Sequence, residues 1–204
     1  MFSIKRYSSI NNNMVHQNGH LLFDLPSFSF EEFSDEIYRI YKIAYPKYHK
    51  MDNLSKLGFL TSEVLLKEMP LKEIYDENKI GIVLSNKNSS LDTDIKYNNL
   101  VKKGIASPAI FVYSLPNIVI GEICIKNGIK GENTFFVSNS YDIPSQVDYV
   151  GSLLKAGIVD ACICGWIEIL EGSYKSFLFL VDSHEQKELI PFTVKNVELL
   201  YNTL

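Results

Sequence analysis

The stretch from Phe135 to Gly157, "FFVSNSYDIPSQVDYVGSLLKAG", holds the residues best placed for chemistry. A short apolar run stops at a corner of Ser138, Asn139, Ser140, Tyr141 and Asp142, and a helical pattern begins. A nucleophile at such a corner faces the free N–H groups of a helix start, which favour negative charge. Ser138 and Ser140 are the hydroxyls on offer there. Ser140 reads first as a turn residue, because no G-x-S-x-G surrounds it. Asp142, ahead of Ile143-Pro144, is a good helix cap.

The other reactive side chains are scattered. In "HQNGH", His16 and His20 have metal-like spacing only on a helix, and Asn18-Gly19 is a turn signal instead. His49 has no visible carboxylate companion, and His184 sits in the polar run "DSHEQKE". No metal is expected. The eleven glycines are dispersed, so no phosphate-cradling loop and no cofactor are expected either. Cys124, Cys162 and Cys164 lie in apolar runs, which points to reduced, buried thiols and a cytoplasmic address. On a strand, Cys162 and Cys164 share one face. Lys102, Lys103, Lys126 and Lys130 form a modest basic patch, suited to an acidic partner or to plain solvation.

The 204 residues suit one domain, and a net charge of −4 with no strongly basic stretch argues against bulk nucleic-acid binding. No apolar stretch reaches the ~20 residues that span a bilayer. "MFSIKRYSSINNN" lacks the apolar core and cleavage site of a signal peptide.

These residues must be positioned by alternating strand and helix patterns. "FSIKRYSSI", "KIGIVLSN", "NTFFVSN", "DACICGWIEIL" and "KSFLFLVDS" read as five strands, the last two joined at Gly172. Asn11 to Pro46 reads as irregular, with one helix placing Phe33, Ile37, Ile40 and Tyr41 on one face. Asp52 caps a clearer helix with Leu54, Leu57, Leu60, Val64 and Leu65 at helical spacing. "SSLDTDIKYNNLVKKG" is a helix closed by Gly104. "SLPNIVIGEICIKNG" is apolar all round, which predicts burial on every side, with Ser114 as cap, Gly128 as stop and a partner needed for Glu122. A helix from about Ile143 to Ala156 and another over "TVKNVELLYNTL" complete the set. The long early connections imply an α/β fold: a mostly parallel five-stranded mixed sheet, helices on both faces, one antiparallel strand near the end.

Five blocks then carry a resemblance: "DNLSKLGFLTSEVLLKE", "IGIVLSNKNSSLDTD", "SPAIFVYSLPNIVIGEI", "KGENTFFVSNS" and "GSLLKAGIVDACICGWIEIL". In order and spacing they resemble the N-terminal half of β-ketoacyl synthases, of the thiolase-like fold. The resemblance covers roughly Leu54 to Val181 and makes residues 1–204 a single such domain, with residues 1–50 its divergent part. It implies a strand ending like V-S-T-A-C-A-S-G, whose Cys accepts the acyl chain. Val137 and Ser138 match the V-S; Asn139 and Ser140 follow, and Tyr141 occupies the nucleophile's place. A phenol, with a pKa of about 10, cannot readily replace that thiolate. The family's two histidines and lysine come from a second half that is expected to be absent.

The resemblance therefore implies a non-condensing accessory subunit in fatty-acid, polyene or polyketide-like synthesis. Its partner is a ketosynthase or an acyl carrier protein. It also implies a homo- or heterodimer, paired through about Thr134 to Ser138. The helix after the elbow agrees: Ile143, Val147, Val150 and Leu154 make an apolar face, while Ser145, Gln146, Asp148, Tyr149 and Ser152 fill a wet or partner-facing side. Two other readings stand beside it. One is a thioester hydrolase or transferase using Ser138 or Ser140. The other is a binding module with Phe111, Tyr113, Asn139 and Tyr141 as a possible pocket.

Overall fold

The computed structural model describes residues 2–183 and 190–203. Five strands lie where the alternating and continuous apolar runs predict them. They are β1 (Ser3–Asn11), β4 (Ile80–Asn86), β5 (Asn133–Val137), β6 (Ala161–Leu170) and β7 (Ser173–Asp182). Three more extend the sheet to eight: β2 (Met14–Gln17), β3 (His20–Asp24) and β8 (Ile190–Pro191). The expectation of five strands is thus corrected. Asn11 to Pro46 is not irregular but a hairpin followed by a helix, and its strands are too short to show an alternation. Asn18 and Gly19 turn that hairpin with positive φ angles of 50° and 81°, as Asn-Gly does in tight turns.

The strand order is β3-β2-β1-β7-β6-β4-β5, with β8 beside β1. Only β4 pairs in parallel, with β5 on one side and β6 on the other; every other pair is antiparallel. The sheet is mixed, as expected, but not mostly parallel. Every residue of β4 is buried, which explains its near-continuous apolar run. Gly165 on β6 has φ +150, and a Cβ there would fall 1.9 Å from the Phe177 carbonyl oxygen of β7. The β6–β7 approach therefore admits only glycine.

The helices cover both faces. On one face α1 (Phe30–Ile40) and α2 (Asn53–Leu65) join α3 (Leu71–Ile74), α4 (Leu91–Val101), α5 (Pro108–Val112) and α6 (Ile118–Asn127). The larger core lies between this layer and the sheet, with Phe33, Leu57, Leu60, Ile82, Leu84 and Ile163 inside it. Asp52 caps α2 as expected, accepting from the Ser55 amide at 2.9 Å. On the other face α7 (Ile143–Lys155) and α8 (Val194–Thr203) cover a second core that contains Val83, Val150, Cys162, Cys164 and Phe177. The two thiols share that face, as the strand alternation requires, and all three cysteines are free.

Two expectations for α6 need correction. Ser114 does not cap it; its hydroxyl donates to the Phe111 carbonyl, and Asn117 stands at the cap position. Nor is α6 buried all round, since Ile125 is 63% exposed. Its apolar residues outnumber those one face can bury. Glu122 does find partners: Tyr45 and Tyr113 donate to it at 2.9 and 3.2 Å, and Lys47 lies 2.8 Å away. Among the described residues no helix is long and apolar enough to cross a membrane.

Replacing Gly165 by alanine forces β6 and β7 apart along the best-packed pair of the sheet. The expected cost is about 2–4 kcal/mol or failure to fold. Urea unfolding of the G165A variant beside the parent measures it, and a loss within ~0.5 kcal/mol contradicts the packing described.

Candidate active-site elbow

β5 runs into the corner under direct control of its neighbour: the Ser138 amide donates to the Asn86 carbonyl at 3.0 Å. The chain then turns, with the Ser138 hydroxyl donating to the Ser140 carbonyl at 2.7 Å. Asp142 caps α7 as its sequence position predicts. It accepts from the Ser145 amide at 3.1 Å and the Ser145 hydroxyl at 2.7 Å, and those bonds hold its carboxyl below the ordinary value. Pro144 occupies the first turn, where its missing N–H costs nothing.

Tyr141 sits at the strand-to-helix corner, where the alignment of motifs places it. Its hydroxyl donates to Gln146 Oε1 at 2.5 Å. Its ring packs against Trp166 and Tyr201, with centroids 5.6 and 5.1 Å away. Burial pushes the phenol well above its ordinary value, and the neighbouring Cys164 and Tyr201 add to the shift. A group so held stays protonated and cannot act as a nucleophile at neutral pH.

Gln146 extends the chain of bonds inward. Its Nε2 donates to the Val83 and Gly165 carbonyls, both at 3.2 Å. The wet face read from α7 is therefore half right. Ser145, Asp148 and Ser152 are exposed, but Gln146 is buried. The signal was available, for Gln146 shares a helical stripe with Ile143, Val150 and Leu153, all buried. Residue type masks it, because an amide on a helix otherwise reads as solvent-facing.

A cleft of about 320 Å³ opens beside the corner, lined by Ser85, Phe136, Val137, Ser138, Asp142, Ser145 and Gln146. Of the expected pocket residues, Asn139 and Tyr141 belong to the corner, with Asn139 exposed. The structure does not bring Phe111 and Tyr113 to them. Tyr113 is part of the core on the opposite sheet face from the one against which Tyr141 packs. It lines a separate cavity of about 220 Å³ with Asp52, Thr93 and Lys96. Phe111 is exposed and touches the Tyr97 ring.

The histidines lie elsewhere: His16 and His20 on the β2–β3 hairpin, and His49 against Tyr38 and Tyr48. His184 falls outside the described residues. Among the described residues no cluster of three or more His, Cys, Asp or Glu is arranged to hold a metal ion. The four lysines do not act as one free patch. Lys126 lies 3.9 Å from Glu63 and Lys130 2.5 Å from Glu77, while Lys102 and Lys103 stand exposed past α4.

No family model matches the chain, and no curated protein matches it by sequence. Solved structures do, and they carry the ketosynthase fold. The chain is similar to the ishigamide ketosynthase/chain length factor at 16% identity and a TM-score of 0.69, over 93% of this chain and 64% of that one. It is also similar to a chain of the ketosynthase in complex with its chain length factor from Xenorhabdus doucetiae. There the identity is 12% and the TM-score 0.60, over 98% of this chain and 90% of that one. A third is a type II polyketide ketosynthase in complex with its acyl-carrier protein, at 14% identity and a TM-score of 0.62, over 89% of this chain and 62% of that chain. The chain thus spans under two thirds of the first and third of these. The likeness establishes the thiolase-like ketosynthase fold of the chain.

Tyr141→Phe removes the phenol from this network and leaves the buried Gln146 oxygen unbonded. The expected destabilisation is about 1–3 kcal/mol, read by chemical unfolding. An unchanged midpoint shows that the bond does not hold the corner.

Proposed function

We propose that this chain is a non-condensing, ketosynthase-like partner subunit acting in fatty-acid, polyene or polyketide-like acyl-chain synthesis. One observation carries the reading: the place of the family's nucleophile is filled by a protonated phenol locked to Gln146. No histidine among the described residues reaches the corner to activate a replacement.

The partner role draws on β5. Among the described residues it is an edge strand, paired only with β4, and Phe136 and Val137 on it are 40% and 54% exposed. The other open edge, β3, is defended. A register shift interrupts its pairing with β2, and His20 and Asp24 flank it. Bulges and polar residues blunt strand addition, whereas β5 pairs with β4 without a register shift and ends in the apolar residues Phe135, Phe136 and Val137. A ketosynthase is the partner we assign to β5. Support comes from a chain of nearly the same extent standing in a ketosynthase–chain length factor complex. An acyl carrier protein is the second partner, by the same likeness. Free, largely buried thiols accord with a cytoplasmic setting.

The hydrolase reading requires an activated serine. The Ser138 hydroxyl is instead spent on the Ser140 carbonyl, and Asp142, the carboxylate of the same cleft, is spent on the Ser145 amide and hydroxyl. Incubation with acyl-carrier and acyl-CoA thioesters tests this. Intact mass is expected to show no acyl adduct and thiol assays no release. Co-elution with a ketosynthase, identified from the native host by mass spectrometry, is expected. An adduct or thiol release abolished by Ser140→Ala or Ser138→Ala overturns the proposal in favour of an acyl-transfer enzyme.

A further inference from the structure

The sidedness of β5 carries a statement about which chain can pair with it. Thr134 and Phe136 face α7, since the Thr134 hydroxyl meets the Tyr149 hydroxyl at 3.2 Å and the Phe136 ring meets the Tyr149 ring at 5.4 Å. Phe135 faces the opposite core. Alternation then puts Ser138 on the α7 side, where it lines the corner cleft with Asp142. It puts Glu132 on that side too. Glu132 is already held in the ladder, its carbonyl accepting from the Ile82 amide at 2.9 Å, and it is exposed.

Consider a second copy added antiparallel along the whole of β5, about a two-fold axis through Phe135. Glu132 of each copy then stands opposite Ser138 of the other, on the same face. It would project beside the cleft whose one charged lining residue is Asp142. The symmetry makes this happen twice, bringing carboxylates together at both ends of the ribbon.

We propose that β5 is built to reject a second copy of this chain and to take a different chain, one that presents a basic side chain where this chain has Glu132. This rests on the reading of β5 as the partner edge and names the chemistry of that partner. Glu132 is the specificity-determining residue: it opposes the wrong pairing, while Asp142 offers the right partner an anion.

Sedimentation analysis of the purified chain at low and high salt tests this without the partner. The parent chain is expected to be monomeric at low salt and to self-associate more as salt screens the carboxylates. Glu132→Lys reverses the exposed charge without disturbing the core, and is expected to strengthen self-association at low salt by about tenfold or more. Adding Phe136→Asp to that variant is expected to disperse it, which ties the effect to β5. A low-salt dimer of the parent chain that Phe136→Asp disperses overturns the inference. So does an E132K variant as monomeric as the parent. Either result leaves β5 pairing with a ketosynthase testable by co-elution, so the two proposals fail separately.

Discussion

The corner after β5 depends on one chain of hydrogen bonds. The Tyr141 hydroxyl donates to Gln146, and Gln146 donates to carbonyls of β4 and β6. Those carbonyls belong to the central strands of the parallel part of the sheet, at residues Val83 and Gly165. The bonds therefore fix the first turn of α7 against the strands it covers. They also set the chemistry of the site. A corner tied down by a neutral phenol and an amide is rigid and well satisfied, and has no group that loses a proton near pH 7. The corner serves to anchor a helix.

Around that anchor the aromatic rings of Trp166, Tyr201 and Phe177 complete the packing. Tyr201 reaches them from α8, and Lys175 sits 3.9 Å over its ring. The C-terminal helix is thereby coupled to the elbow, and α7 keeps only a strip of polar residues towards solvent. On the opposite sheet face, Glu122 performs a comparable service by gathering Tyr45 and Lys47 from one segment and Tyr113 from another. Both are buried polar networks with their partners in place. Such networks specify one arrangement of elements more than they add to net stability.

Much of this was legible in the residues. Alternating and continuous apolar runs mark the five main strands, and Asp52, Asp142, Gly128 and Gly172 mark element ends where they fall. Tyr141 was placed at the corner by the order of the motifs. Four features were not read correctly from the residues. The β2–β3 hairpin is too short for periodicity to separate from loop. The direction of pairing was misjudged because long connections precede β4 and β5, while β1 joins the sheet antiparallel beside β7. The pocket grouping Phe111 and Tyr113 with Tyr141 failed because sequence gives no sheet face to residues in short helices and turns. Gln146 is the fourth: its type suggests solvent, while its spacing places it in the core.

In the proposed role, β5 and its flanking cleft receive a ketosynthase and not a substrate. A photo-crosslinking amino acid at position 136, introduced into the chain in its native host, reads that directly. A crosslink to a ketosynthase is expected, mapped by mass spectrometry to an edge strand of that protein. Crosslinks confined to a free acyl chain or to a second copy of this chain would contradict it.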